Sequence, residues 1–286
     1  DVPDKLKKRL LEFLNLGEIT DIQKIRDIIQ KLKKTNNTTT SQKSTDNVNT
    51  INNNETVPKY KKKKTRGDTR PTSGKEQIVF DLQRINGIGE KTALKFHDKG
   101  ITLDKLRNEW DKLKNKSNLS NTTYLKELHN EQLLGIKYFE DIEKRIPRDE
   151  LLQMQKLLQN VIKEVFPDMD IMICGSFRRG SSTSGDIDTL LVHKKYISLE
   201  DYAKFGDTNP LSVFVDVLSK IGFLKDHLTE NGKTKYMGLC ALNNSPYARR
   251  IDIRFIPMNC LASALIYFTG SWEFNVQMRQ HCLRKG

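Results

Sequence analysis

The pattern of apolar residues changes period at Pro167, and that change limits the folds open to this chain. Upstream, from Gly74 to about residue 166, large apolar residues recur at helical spacing. The helix expected from Arg148 carries Leu151, Leu152, Leu158, Ile162 and Val165. Downstream, short runs at 171–175, 186–193, 234–242 and 249–256 read as strands, with helices near 210–221 and from 261 onward. Strands mixed with helices after an all-helical stretch predict an α+β chain, a helical N-terminal part followed by a unit built on a mixed sheet. No internal repeat points to a solenoid.

Residues 4–34 read as two short helices. Leu6, Leu10, Phe13 and Leu14 share one face and Gly17 suits a C-cap. Thr20 and Gln23 form a capping box for the second helix, which carries Ile22, Ile25, Ile29 and Leu32. Residues 35–58 are dominated by Asn, Thr and Ser and hold no aromatic residue, so they cannot offset their ordering entropy and are expected to be a disordered linker. Lys59, Lys61 to Lys64, Arg66, Arg70 and Lys75 follow, with Tyr60 among them. Solvated linker charge and phosphate contact both fit that run.

The chain carries a net charge of +13, which favours a polyanionic partner. Nucleic acid is preferred to an acidic membrane, because no stretch approaches the roughly 18 apolar residues of a span and no basic amphipathic helix stands out. No secretory signal is visible at Asp1–Asp4. The four cysteines, Cys174, Cys240, Cys260 and Cys282, form no C-x-x-C pair and read as reduced thiols of an intracellular protein.

The chemistry is concentrated in Gly175-Ser176-Phe177-Arg178-Arg179-Gly180 and Ser184-Gly185-Asp186-Ile187-Asp188. A strand, Ile171 to Cys174, leads into Gly175-Ser176. Glycine permits close backbone approach to a ligand, and free N–H groups after a strand can cradle phosphate oxygens. Arg179 adds a cationic fork. Asp186 and Asp188 stand two apart on the expected strand, so both carboxylates should project from one face. Like charges that close are costly unless cations join them, and magnesium takes carboxylate and phosphate oxygens together. A second strand, Arg249 to Phe255, sets Asp252 among three arginines. If the two strands pair, three carboxylates converge on the arrangement that clamps two ions. The bland alternative, edge-strand aspartates held in salt bridges, is outweighed once the upstream Gly-Ser and the later Asp252 are counted together.

These residues resemble the X family of DNA polymerases. The likeness runs from Gln77 to Gly286 through Arg84-Ile85-Asn86-Gly87-Ile88-Gly89, Glu143-Lys144-Arg145-Ile146-Pro147-Arg148, the two motifs above, and Tyr267-Phe268-Thr269-Gly270-Ser271. It implies a helix–hairpin–helix in the helical part and a nucleotidyltransferase palm around the sheet. The implied organisation is a remnant of a small lyase-like domain at 1–34, a disordered basic linker at 35–75, a helical DNA-binding unit at 76–146, the palm at 147–258, and the truncated start of a nucleotide-binding subdomain at 259–286.

The resemblance implies roles as well. Asp186, Asp188 and Asp252 would be catalytic and hold two Mg2+ ions, for which Mn2+ can substitute. Asp252 would also help activate the primer 3′-hydroxyl. Ser176, Arg179, Ser184, Gly185 and Arg145 would bind the triphosphate. Tyr267, Phe268 and Gly270 would surround the deoxyribose, and Asn275 would touch the base. Packing of a helix end against the core is the reading of Tyr267-Phe268 that the residues alone would favour. Gly87, Gly89, Lys235, Arg254 and Arg279 would contact DNA. The carbonyls of Gln83, Ile85 and Ile88 would hold a monovalent cation, Na+ or K+, at the hairpin. Expected partners are gapped or nicked duplex DNA and deoxynucleoside triphosphates. No membrane is expected, and a monomer acting in the nucleus or another DNA-containing compartment is.

Three departures from the family pattern stand out. Trp272 replaces an acidic residue beside the incoming base, and Val276 replaces a lysine beside the template. Arg9 falls where the lyase function has its Schiff-base lysine, and arginine cannot form that imine; Lys5 and Lys8 are the nearby amines. Besides templated gap filling in base-excision repair, three readings therefore stay open: a template-independent terminal transferase, an abasic-site lyase, and a non-catalytic DNA-binding scaffold. The short segment from Leu228 to Tyr236 speaks against the first and the intact aspartate triad against the last.

Overall fold

The computed structural model describes residues 73–114, 123–205, 209–229, 232–243 and 245–285. The expectations for residues 1–34, for the linker up to residue 72 and for Arg9 lie outside the described residues. Helix α1, Gly74–Gln83, begins on Ser73, whose hydroxyl accepts from the Glu76 amide at 3.1 Å. Helix therefore replaces the last residues of the expected linker, because a serine N-cap is already in place.

Among the described residues, four further α-helices follow in this unit: α2 (Glu90–Asp98), α3 (Leu103–Lys114), α4 (Asn130–Lys137) and α5 (Phe139–Glu143), with a 3-10 turn at Leu125–Glu127. They enclose a core of Leu82, Ile85, Ala93, Phe96, Leu106, Leu125 and Ile136 with their neighbours. Between α1 and α2 the chain turns through Gly87 at φ +81°, a conformation other residues adopt only with strain. Gln132 of α4 donates from Nε2 to the Gly87 carbonyl at 3.1 Å and braces that turn.

The second unit is a mixed sheet with helices packed on it. A two-residue strand β1 (Ile146–Pro147) leads into helix α6 (Arg148–Val165). Then follow β2 (Met169–Ile173), the single turn α7 (Gly175–Arg178), β3 (Thr183–Ser184), β4 (Ile187–His193), α8 (Pro210–Lys220), β5 (Leu224–His227), β6 (Lys235–Cys240), β7 (Arg249–Ile256), α9 (Leu261–Thr269) and α10 (Trp272–Lys285). The main sheet has the order β2-β4-β7-β6-β5, and β1 pairs separately with β3. Only β4 and β7 run parallel; β2–β4, β7–β6 and β6–β5 are antiparallel.

Helix α6 buries Leu151, Met154, Leu158, Val161, Ile162 and Val165, a stripe of three- and four-residue steps. Leu152, which the sequence reading placed on that face, is 38 % exposed because it sits one position off the stripe. Strand β7 alternates strictly, with Ile251, Ile253 and Phe255 in the core and Arg250, Asp252 and Arg254 on the other face. Arg249 also turns inward and meets Glu150 of α6 through two nitrogens at 2.9 and 2.8 Å. Removing one partner of such a buried pair costs roughly 3–5 kcal/mol, so it fixes the helix to the strand that carries Asp252.

The expected strand 171–175 ends at Ile173, because Gly175 at φ +56° starts the α7 turn. Strand 234–242 is trimmed to Lys235–Cys240, and 249–256 is found unchanged. The short strands β1, β3 and β5 are additions. Among the described residues no helix is long and apolar enough to cross a membrane.

Candidate active site

Asp188 and Asp252 are register partners on the parallel strands β4 and β7. Residues facing each other across adjacent strands point to the same side, with backbones about 4.8 Å apart. Both residues are half-buried, and desolvation is the largest influence on their carboxylates. Burial, reinforced by the Asp252 charge, pushes Asp188 up to about 6, against the pull of Arg179 and Arg254. Burial likewise raises Asp252, against Arg250, Arg254 and Lys235. The Oδ1 atom of Asp252 is buried with no hydrogen-bond partner. An orphaned carboxylate oxygen beside a second desolvated carboxylate fits a divalent cation, which would relieve both costs at once.

Asp186 is placed differently from the expectation. Strand β4 begins one residue later, at Ile187, so Asp186 lies on the bend entering the strand. Its carboxylate is bound by Arg250 of β7. The reason is local: Arg250 precedes Asp252 by two on the same face and reaches the bend. With Asp186 so engaged, the described residues hold no ready cluster of three carboxylate, thiol or imidazole ligands. Alternation on β7 puts Arg250 beside Asp252, but only the structure shows that it pairs with Asp186.

Gly175 lies against Asp188. A side-chain carbon there would sit 2.6 Å from Asp188 Oδ2, so the close approach that glycine permits is to the Asp188 carboxylate. The Cys174 amide donates to the Asp188 carbonyl at 2.7 Å, tying the turn to the strand. Arg148 holds the turn from below, donating to the carbonyls of Phe177 and Ser181 at 2.9 and 3.2 Å and lying over the Phe177 ring. Ser176 and Ser184 share a hydroxyl hydrogen bond at 2.7 Å. Arg145 donates to Thr183 Oγ1 and to the Thr183 carbonyl at 3.1 and 2.7 Å. The β1–β3 pair sets it so close that a side chain on Gly185 would meet its Nη1 at 3.3 Å.

Arg179 donates to the Thr269 carbonyl at 2.6 Å, which joins the α7 turn to the end of α9. Gly270, at φ +72°, follows immediately, and a side chain there would lie 3.2 Å from Arg179 Nη1. Tyr267 is 47 % exposed, Phe268 is half-buried, and the two rings meet edge to face. Asn275 is buried; its amide nitrogen donates to the Tyr267 carbonyl at 2.7 Å and its Oδ1 has no partner. Arg279 reaches over the Tyr267 ring and donates to the Asn275 carbonyl. Lys235 is the register partner of Arg254, so both extend the cationic face around Asp252. At the turn between α1 and α2, Gly89 is the N-cap of α2 and the Ile85 carbonyl accepts from the Ile88 amide at 3.1 Å.

A mixed sheet that presents paired carboxylates beside a glycine-led turn with two arginines defines a nucleotidyltransferase palm. Comparison with known families agrees: the family described as DNA polymerase beta palm matches residues 145–258. The chain is 34 % identical over 225 residues to DNA polymerase lambda of Arabidopsis thaliana, an alignment covering 75 % of this chain and 38 % of that protein. It is 34 % identical over 215 residues to DNA polymerase lambda of Rattus norvegicus, covering 73 % of this chain and 33 % of the relative. The chain belongs to the X family of DNA polymerases. It spans 38 % and 33 % of the length of these two relatives.

Proposed function

We propose that this chain carries the DNA-binding and catalytic parts of a template-directed DNA polymerase that adds deoxynucleotides to primer 3′ ends in short gaps. The observation that carries this reading is the register pairing of Asp188 with Asp252 beside the Gly175–Arg179 turn. Asp186, Asp188 and Asp252 would hold two Mg2+ ions, which when bound neutralise charge on the attacking and leaving oxygens. The chain's own residues do the positioning. Ser176, Arg179, Ser184, Gly185 and Arg145 receive the triphosphate, where fixed donors and guanidinium forks match phosphate oxygens. Tyr267, Phe268 and Gly270 wall the sugar, and Asn275 and Arg279 lie on the base side.

The helical unit, from the α1 helix to residue 146, grips duplex DNA through the Gly87–Gly89 turn and the bare N-terminus of α2. A monovalent cation held by the carbonyls of Gln83, Ile85 and Ile88 would strengthen that grip. The palm, 147–258, carries Lys235 and Arg254 toward the DNA backbone, and residues 259–286 begin the nucleotide-binding part. The working form is a monomer on gapped or nicked DNA in base-excision repair, in a compartment that contains DNA.

Primer extension on a one-nucleotide gapped duplex with magnesium, with an ungapped single-stranded primer as control, tests this reading. Addition confined to the gapped, matched template is expected. Equal, template-independent addition to the single strand would move the chain to a terminal transferase.

A further inference from the structure

We infer that Arg250 is a positioning residue that acts as a latch on Asp186, set by Asn86 of the hairpin: in the DNA-free protein it withholds this carboxylate from a divalent cation. The inference rests on the metal-site reading of the three aspartates.

The three carboxylates are not equivalent. Asp252 keeps a buried oxygen with no partner, whereas Asp186 is paired with Arg250, both side chains being a little under one-third exposed. A guanidinium and a divalent cation repel, and Arg250 sits on Asp186 Oδ2, an oxygen that a cation at this carboxylate would also use. Occupation of Asp186 by one therefore opposes occupation by the other.

Arg250 does not hold Asp186 alone. Its Nη1 donates to Asn86 Oδ1 at 3.4 Å, across from the helical unit. Asn86 is itself held by α4 at two points. Its amide nitrogen donates to Glu131 Oε1 at 3.3 Å, and its backbone packs so tightly on α4 that a side chain on Gly135 would lie 2.6 Å from the Asn86 carbonyl. The hairpin thus sets where one arm of the guanidinium sits, and the other arm takes Asp186.

The arrangement is also poised to change. The Nε of Arg250 is buried without a partner, an unfavourable state that a different side-chain position would relieve. Beside it a cleft of about 340 Å³, lined by Phe80, Arg84, Asn86, Asp186 and Arg250 among others, leaves room for the guanidinium to swing. Asn86 is neutral, so its part in the latch is geometric and separable from the charge of Arg250.

The test is Mn2+ binding to the DNA-free full chain, read as free Mn2+ by electron paramagnetic resonance. Far-UV circular dichroism and thermal unfolding establish that each variant is folded. Arg250→Gln removes the competing charge and is expected to tighten Mn2+ by about tenfold, the scale of one charge-assisted contact. Asn86→Ala leaves every charge in place and is expected to tighten Mn2+ about threefold. In the Arg250→Gln background the Asn86→Ala effect should vanish, because both act through one contact. Asn86→Ala without effect, or with the same effect when Arg250 is already Gln, overturns the latch even though Mn2+ still binds. If Asp188→Asn and Asp252→Asn leave wild-type Mn2+ binding unchanged, the metal-site reading itself fails and the latch with it.

Discussion

Gly175→Ala tests whether the approach of the α7 turn to Asp188 matters to catalysis. Two costs follow from the substitution. The backbone sits at φ +56°, where a side-chain carbon costs about 1–2 kcal/mol, a loss of roughly 2–8 °C in Tm for a chain this size. The new methyl would also lie 2.6 Å from Asp188 Oδ2, closer than such contacts occur, so the carboxylate must retreat by about 0.4 Å or more. Displacement of a catalytic group by a fraction of an ångström to one ångström can cost about a hundredfold in rate. Gly222→Ala separates the two costs, since Gly222 has φ +76° and open space around its missing side chain. The assay pairs single-turnover nucleotide incorporation on gapped DNA with thermal unfolding. Both variants are expected to lose similar stability, and only Gly175→Ala should lose incorporation, by about a hundredfold. Incorporation by Gly175→Ala within threefold of wild type, at a temperature where it is folded, would refute the reasoning.

Three further outcomes follow from the site. Asp252→Ala should remove nucleotide addition while leaving affinity for gapped DNA nearly intact, since Asp252 faces the paired carboxylate; retention of more than about a tenth of turnover sinks the assignment. Deoxynucleotides should be preferred to ribonucleotides by a few hundred- to several thousand-fold, a penalty of roughly 3–5 kcal/mol, and near-equal single-turnover rates would remove the sugar-wall role from Tyr267 and Phe268. Asp188 keeps its proton to about pH 6 when folded but loses it near 3.8 when unfolded, so the metal-free fold loses stability as pH rises between those values. Mg2+ should therefore raise Tm more at about pH 7.5 than at about pH 5, and an equal rise at both would count against a cation at Asp188.

The sequence by itself determined the local architecture. The helical spacing of Leu151, Leu158, Ile162 and Val165 and the alternation of Arg250, Ile251, Asp252 and Ile253 depend on neighbours a few residues away, which is where periodic side-chain direction is decided. Gly175-Ser176 and Gly87-Ile88-Gly89 were legible as tight turns for the same reason, because the conformational demand falls on the residue itself. The tertiary structure decided what those side chains meet. Pairing of β4 with β7 in parallel, and in the register that sets Asp188 opposite Asp252, joins residues 64 apart, and no local pattern specifies it. The short strands β1, β3 and β5 are likewise too brief to show a period and exist only because a partner strand supplies their hydrogen bonds. The fate of Asp186 is decided at the same level. Its pattern matches that of Asp188, but the chain bends before β4 and Arg250 lies within reach, so an ion pair forms where an open carboxylate was expected. Burial then sets the chemistry: two carboxylates that are ordinary in the sequence become reluctant anions only when the sheet removes their water.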